Sequence, residues 1–180
     1  MRLSIDSPAV DSRIALFLLT PDQVTPRYVS WLNDREVNQY LECRAYVHTM
    51  ESTRSFVATL LASPDDLFLG IRLNADSEHR HVGNIRLGMI DWQRCVGEIG
   101  IMIGDREVWG RGVASAAIEA VAELAHTRLS LRRLAAGCYG SNEGSRRAFE
   151  KAGFFIEAVR REQSLVNGRV EDVVRLAREL

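Results

Sequence analysis

Runs of apolar residues alternate with helical spacings along this chain, and the order in which they do so predicts the fold. Residues 13–19 (RIALFLL) form a short continuous apolar run, the pattern of a buried strand. Thr20-Pro21-Asp22-Gln23 then predicts a helix start: Thr20 can cap, Pro21 suits the first helical position and Gln23 completes a capping box. Tyr28, Val29, Trp31 and Leu32 supply that helix with an apolar face, and Asn33-Asp34 ends it. Thr49 predicts the cap of a second helix, with Glu51 in the first turn where a negative charge suits the helix dipole. Phe56, Val57, Leu60 and Leu61 recur at helical spacing until Ser63-Pro64-Asp65-Asp66 stops the helix.

The middle of the chain changes rhythm. Residues 67–73, 82–91 and 96–104 read as three strands on short connections, with Asp91-Trp92-Gln93-Arg94 as the last turn, which predicts an antiparallel meander. From Val113 to Leu129 the pattern is helical and alanine-rich, suited to a helix lying close against a sheet. Residues 131–140 read as the next strand, and Asn142–Ala152 as a helix closed by Gly153. Two alternating runs around Asn167-Gly168 predict a final hairpin. The order is strand, two helices, three strands, helix, strand, helix, two strands. It implies an α+β fold with a mixed central sheet flanked by helices. No repeat or linker divides residues 1–180, so a single domain is expected.

Composition narrows the function classes. The 180 residues carry 23 basic and 24 acidic side chains, a net charge of -1, so a nucleic-acid partner is not expected. Lys151 is the only lysine. The apolar run near the N-terminus is too short for a bilayer and no leader pattern precedes it, which implies no membrane association and a cytoplasmic location. Cys43, Cys95 and Cys138 are odd in number and widely spaced, the pattern of reduced thiols. His79 and His81 form an HxH in a polar stretch without partners, so a solvated loop is expected there and no metal site.

The segment that carries chemistry runs from Glu98 through Ile101-Met102-Ile103 to Trp109-Gly110-Arg111-Gly112-Val113-Ala114-Ser115. It is a strand, a short connection, a glycine-rich turn and a helix start. Gly110 and Gly112 lack Cβ atoms, so backbone can approach a ligand closely. Unpaired N–H groups of the first helical turn then face an anion, and Arg111 adds a full positive charge. A P-loop is excluded because no Gly-Lys pair occurs. A dinucleotide fingerprint is disfavoured, since its third glycine is replaced by Ser115 and the preceding strands read as antiparallel. An acyl-CoA pyrophosphate loop remains, with a ligand-free capped helix as an equal reading from this loop alone.

A second segment, Asn142-Glu143-Gly144-Ser145-Arg146-Arg147-Ala148-Phe149-Glu150-Lys151-Ala152-Gly153-Phe154, follows one helix and one strand later. With both segments in view, the chain resembles the GNAT superfamily of N-acetyltransferases over most of its length. Trp109–Ala114 matches that family's Gln/Arg-x-x-Gly-x-Gly/Ala loop except at the first position. Asn142, Ser145, Lys151, Gly153 and Phe154 match its later motif. A finer resemblance is to the ribosomal-protein-type branch, whose members acetylate protein N-termini, polyamines and amino sugars. In that branch tryptophan before the Gly-x-Gly is common. Trp31–Glu42 looks like a segment of members that act on nucleotide-linked amino sugars.

The resemblance implies direct transfer of an acetyl group from acetyl-CoA, as co-substrate, to a primary amine of a small molecule, an amino sugar being one option. A protein N-terminal acetyltransferase and a non-catalytic CoA-binding module are the alternatives. CoA contacts are expected from Ile101, Met102, Ile103, Trp109, Gly110, Arg111, Gly112, Val113, Ala114, Ser115, Asn142, Ser145, Phe149 and Lys151. A backbone N–H near Met102 or Ile103 is expected to face the thioester oxygen. An aliphatic amine is protonated at neutral pH, so a base is needed, and Glu98 is the first candidate. Many members protonate the leaving thiolate with a tyrosine where this chain has Phe149; Tyr139 and Ser141 are the substitutes nearest in sequence. Tyr40, Arg44, Tyr46 and His48, between the first two helices, are expected toward the acceptor. Homodimers are common among the members it resembles.

Overall fold

A computed structural model describes residues 13–74, 80–166 and 168–180, with side chains throughout except at 162–166 and 169. Seven strands form one sheet in the order β1-β2-β3-β4-β5-β7-β6. They are β1 (Ile14–Leu18), β2 (Leu67–Leu73), β3 (His81–Asp91), β4 (Val96–Ile103), β5 (Arg133–Tyr139), β6 (Phe155–Val166) and β7 (Arg169–Glu179). The helices are α1 (Pro26–Asn33), α2 (Arg35–Asn38), α3 (Met50–Ala62), α4 (Val113–Leu129) and α5 (Glu143–Lys151). β2, β3 and β4 form the expected antiparallel meander. β4 and β5 are parallel, so the sheet is mixed.

Side-chain alternation along the strands sorts the core into two layers. Leu67, Leu69, Ile71, Ile85, Ile99 and Leu134 face the buried side of α4, and Phe149 and Phe154 close that layer. The intervening residues Phe17, Phe68 and Met102 pack with Tyr28, Trp31, Leu32 and Val57 under α1 and α3. The alanines of α4 (Ala116, Ala117, Ala120, Ala122, Ala125) are buried, and the helix packs on β1, β3 and β4. Gly104, just past β4, lies against the second layer: a Cβ there would fall 2.0 Å from the Trp31 indole.

One boundary differs from the sequence expectation. Gln23 Oε1 accepts the Thr20 N–H at 2.9 Å as a capping box requires, yet this turn is a separate 3-10 element, Pro21–Gln23. α1 starts afresh at Pro26, where the Thr25 side chain accepts the Tyr28 N–H. The cause is Pro26: inside a helix begun at Pro21 it would have no N–H to donate, and it holds Thr25 in the extended region. The four-residue α2 and the 3-10 turn Glu42–Ala45 were also not expected. The hairpin β6–β7 is present, with Gly168 at φ 77°; Asn167 lies outside the described residues.

His81 is not in a solvated loop as expected: it opens β3 and turns inward, with rings of Phe17, Tyr28 and Trp31 within 6 Å of its own. Burial lowers its pKa below the usual 6.5. His79 is outside the described residues. Among the described residues no three His, Cys, Asp or Glu side chains gather as a metal site, and no helix is long and apolar enough to cross a membrane. Cys43, Cys95 and Cys138 are free thiols.

Candidate active site

The central feature is a parting of two strands. β4 and β5 pair from Val96↔Arg133 to Ile99↔Ala136 and no further. Both strands continue: β4 stays on β3 as far as Ile103↔Gly83, and β5 stays on β7 as far as Tyr139↔Val173. A wedge therefore opens between Gly100–Ile103 and Gly137–Tyr139, lined by backbone that the β4–β5 ladder no longer uses.

The glycine-rich turn follows the β4 side of this wedge. Trp109 Nε1 donates to the Ile103 carbonyl at 2.8 Å, tying the turn to the strand end. Gly110 and Gly112 have φ of 74° and 78°, the left-handed region that glycine enters without a Cβ penalty. Gly112 is the N-cap of α4 and supplies no side-chain cap; the first helical bond is Ala116 N–H to the Gly112 carbonyl. The N–H groups of Val113, Ala114 and Ser115 thus sit at an uncapped helix start. A Cβ on Gly112 would come within 2.9 Å of Arg13 Nη1, so a guanidinium lies against Gly112 in addition to the exposed Arg111 that precedes it in the chain.

Asp105 fixes the turn from below. Its buried carboxylate accepts Arg27 Nη2 at 2.8 Å, lies 3.4 Å from Arg80 Nη1, and accepts the Glu107 N–H. Arg106 in turn pairs with Glu36 of α2. These pairs clamp the connection before the glycines to α1 and α2.

The face of the wedge under α1 and α3 carries the polar groups. Glu98 opposes Ala135 across β4 and β5, so Glu98, Gly100 and Met102 share a face with Ala135, Gly137 and Tyr139. Both Glu98 oxygens are engaged by Arg175 of β7, at 3.0 and 3.4 Å. Tyr139, 7% exposed, donates its phenol hydrogen to Oε1 of Glu42, which arrives from the 3-10 turn after α2. Burial foremost, and then this bond, push the Tyr139 phenol up. The Arg44 guanidinium lies 5.5 Å from the Tyr139 ring centre, and the Tyr40 ring is 6.3 Å away. The Tyr40 hydroxyl donates to the Ser141 carbonyl at 3.2 Å.

The structure thus gathers Tyr40, Arg44, Tyr139 and Ser141 at one end of β5, with Glu98 deeper on the same face. Tyr46 is 72% exposed, and the His48 ring is bonded to the Cys43 carbonyl within its own loop. The Ile101 and Ile103 side chains enter the α4 layer and Met102 the opposite one, leaving their backbone to the wedge. Asn142 caps α5 by accepting the Ser145 N–H at 3.1 Å. Phe149 is in the core, its ring 5.1 Å from that of Phe154. Lys151 is exposed at the far end of α5, roughly 13 Å along the axis from Asn142. No sequence motif marks Glu42, Asp105, Arg175 and Arg13. Their partners are distant in the chain, and only the fold pairs them.

A family model described as an acetyltransferase (GNAT) domain matches residues 13–155. The probable N-acetyltransferase YjcK of Bacillus subtilis (strain 168) is 40% identical over 63 residues, 35% of each chain. The curated relatives that match are covered over about a third to a half of their length. A spermidine N-acetyltransferase from Vibrio cholerae, solved with CoA and spermine, superposes with a TM-score of 0.83 at 20% identity, covering 94% of this chain and 96% of that one. The ribosomal-protein acetyltransferase RimL, solved with coenzyme A, gives 0.84 at 20% identity, covering 95% and 96%. At such identities these structures establish a shared fold.

Proposed function

This chain belongs to the GNAT acetyltransferase family, and on that footing we propose that it transfers an acetyl group from acetyl-CoA to a primary amine of a small molecule. The observation that carries the reading is the parting of β4 from β5 directly beside an uncapped, glycine-turned helix start. The two features are adjacent in the chain, and together they suit a long ligand with an anionic middle and a thioester end.

The roles divide by position. The N–H groups of Val113, Ala114 and Ser115, with Arg111, hold the pyrophosphate; the chain need not be basic overall, because the anion site is local. Gly110 and Gly112 allow the close approach. The backbone of Ile101, Met102 and Ile103 lines the pantetheine arm, as Asn142 and Ser145 do from the α5 side. The thioester then lies in the wedge, where a backbone N–H of Met102 or Ile103 faces its oxygen. The amine approaches from the α1–α3 side, where Tyr40 and Arg44 stand.

The spermidine acetyltransferase neighbour was solved with spermine, which makes polyamines the first acceptors to try. Amino sugars, including nucleotide-linked ones, come next, since Arg44 can pair with a phosphate or carboxylate. Thiol release from acetyl-CoA over polyamines, amino sugars and short peptides tests the reading. Release with a small amine supports it. Release with peptides alone favours a protein N-terminal acetyltransferase, and acetyl-CoA binding without release on any amine leaves a CoA-binding module.

A further inference from the structure

Phe149 has no proton to give, and Glu98 has both oxygens on Arg175 at the closed base of the wedge, level with Ala135. Reaction of an amine with a thioester still requires a proton to leave nitrogen and a proton to reach sulfur. Three residues beyond the last β4–β5 pair, the wedge holds a different couple. Tyr139 ends β5 on the acceptor face, and its hydroxyl is hydrogen-bonded to Glu42, an exposed carboxylate carried on the loop that leads from α2 to α3.

We infer that Glu42 and Tyr139 are the proton relay of acetyl transfer. The inference rests on the acetyl-transfer reading above. The bound ammonium first loses one proton to water, which frees its lone pair. The nitrogen then bonds to the acetyl carbon and passes its second proton to the Glu42 carboxylate. As the carbon–sulfur bond breaks, Tyr139 gives its phenol proton to the thiolate, and Glu42 returns the proton it holds to the tyrosine. In sum one proton moves from nitrogen to sulfur, and both side chains end as they began.

The coupling is what makes a tyrosine serviceable here. A phenol of ordinary pKa near 10 is a weaker acid than a thiol near 8.5, so phenol alone would protonate the thiolate uphill. Burial and the Glu42 bond push Tyr139 higher still, which keeps it protonated at neutral pH but deepens that deficit. A carboxylic acid directly behind it reverses the sign, because the proton that finally reaches sulfur is drawn from a much stronger acid. Arg44 over the Tyr139 ring and Tyr40 on the Ser141 carbonyl hold the loop and strand end together, so the two relay groups keep their contact.

The test uses the full chain and whichever amine the acceptor panel identifies. Tyr139→Phe, Glu42→Gln and Glu42→Ala should each lower kcat by about 100-fold or more while acetyl-CoA affinity stays within about twofold. Melting curves of the variants check that they fold. Added formate should restore part of the rate of Glu42→Ala, since it can occupy the exposed position left by the carboxylate, and should not affect Tyr139→Phe. A kcat within about threefold of wild type in Tyr139→Phe or Glu42→Gln overturns the relay, as does a Glu42→Ala defect that formate leaves untouched. Wild-type protein that releases no thiol with any amine removes the acetyl-transfer reading and the relay with it. Wild-type turnover that survives these substitutions removes the relay alone.

Discussion

Gly112→Val bears most directly on the anion cradle. Gly112 sits at φ 78° in the N-cap position of α4, and a Cβ would approach Arg13 Nη1 to 2.9 Å. An L-residue held in the left-handed region costs roughly 1–2 kcal/mol, and a β-branched one more. The turn can relieve this only by leaving that region, which swings the N–H groups of the first α4 turn away from their common direction. Hydrogen bonds to a charged group are worth about 1.5–3 kcal/mol each, so losing one or two weakens binding by roughly 3 kcal/mol. That corresponds to about a 100-fold rise in the dissociation constant. Gly110→Ala is the graded comparison: the same backbone region at φ 74°, but nothing within 4 Å of the added Cβ. Calorimetric titration with acetyl-CoA should rank wild type above Gly110→Ala above Gly112→Val. A Gly112→Val affinity within about threefold of wild type would refute the cradle.

Other perturbations test what holds the site. Asp105→Asn removes a buried charge from Arg27 and Arg80; with both arginines part-exposed, a loss of about 2–3 kcal/mol is expected in denaturant melts, and less than about 1 kcal/mol would demote the clamp to a surface pair. Gly104→Ala drives a methyl into the Trp31 indole and should cost about 1–3 kcal/mol, with a shift in tryptophan fluorescence; an unchanged melt would mean that α1 yields freely. His81 is held neutral by burial, so the unfolded chain takes up its proton before the folded one does. Stability should therefore fall as pH drops below about 6.5, and His81→Gln should flatten that fall; an equal slope in the variant assigns it to other groups.

Most elements were readable from the sequence because each rests on local rules. Thr49 caps α3 as its position predicts, Asn142 caps α5, and the Asp91 carboxylate accepts the Gln93 and Arg94 N–H groups in the β3–β4 turn. The start of the first helix is ambiguous in sequence because two cap-and-proline pairs, Thr20-Pro21 and Thr25-Pro26, follow each other closely, and only the second opens an α-helix. The glycine loop was legible for a similar reason: positive φ and a missing Cβ are properties of single residues. The proposed proton relay is legible only in part: Tyr139 stands out beside the Asn142 motif, but its partner does not. Glu42 lies in the segment Trp31–Glu42, yet its partner Tyr139 is 97 residues away. Glu98 gave no sign in sequence that Arg175, 77 residues on, would take both its oxygens. Charged groups acquire roles from neighbours that only the sheet's register supplies.

The central claim is that acetyl passes from acetyl-CoA to an amine nitrogen within the wedge. Acetyl-CoA labelled in its acetyl group, mixed with the wild-type protein and the panel amines, tests this directly. The account predicts the label on the nitrogen of a small amine, in an amount equal to the free thiol released. Label that stays on acetyl-CoA, or that leaves only as acetate, would contradict it.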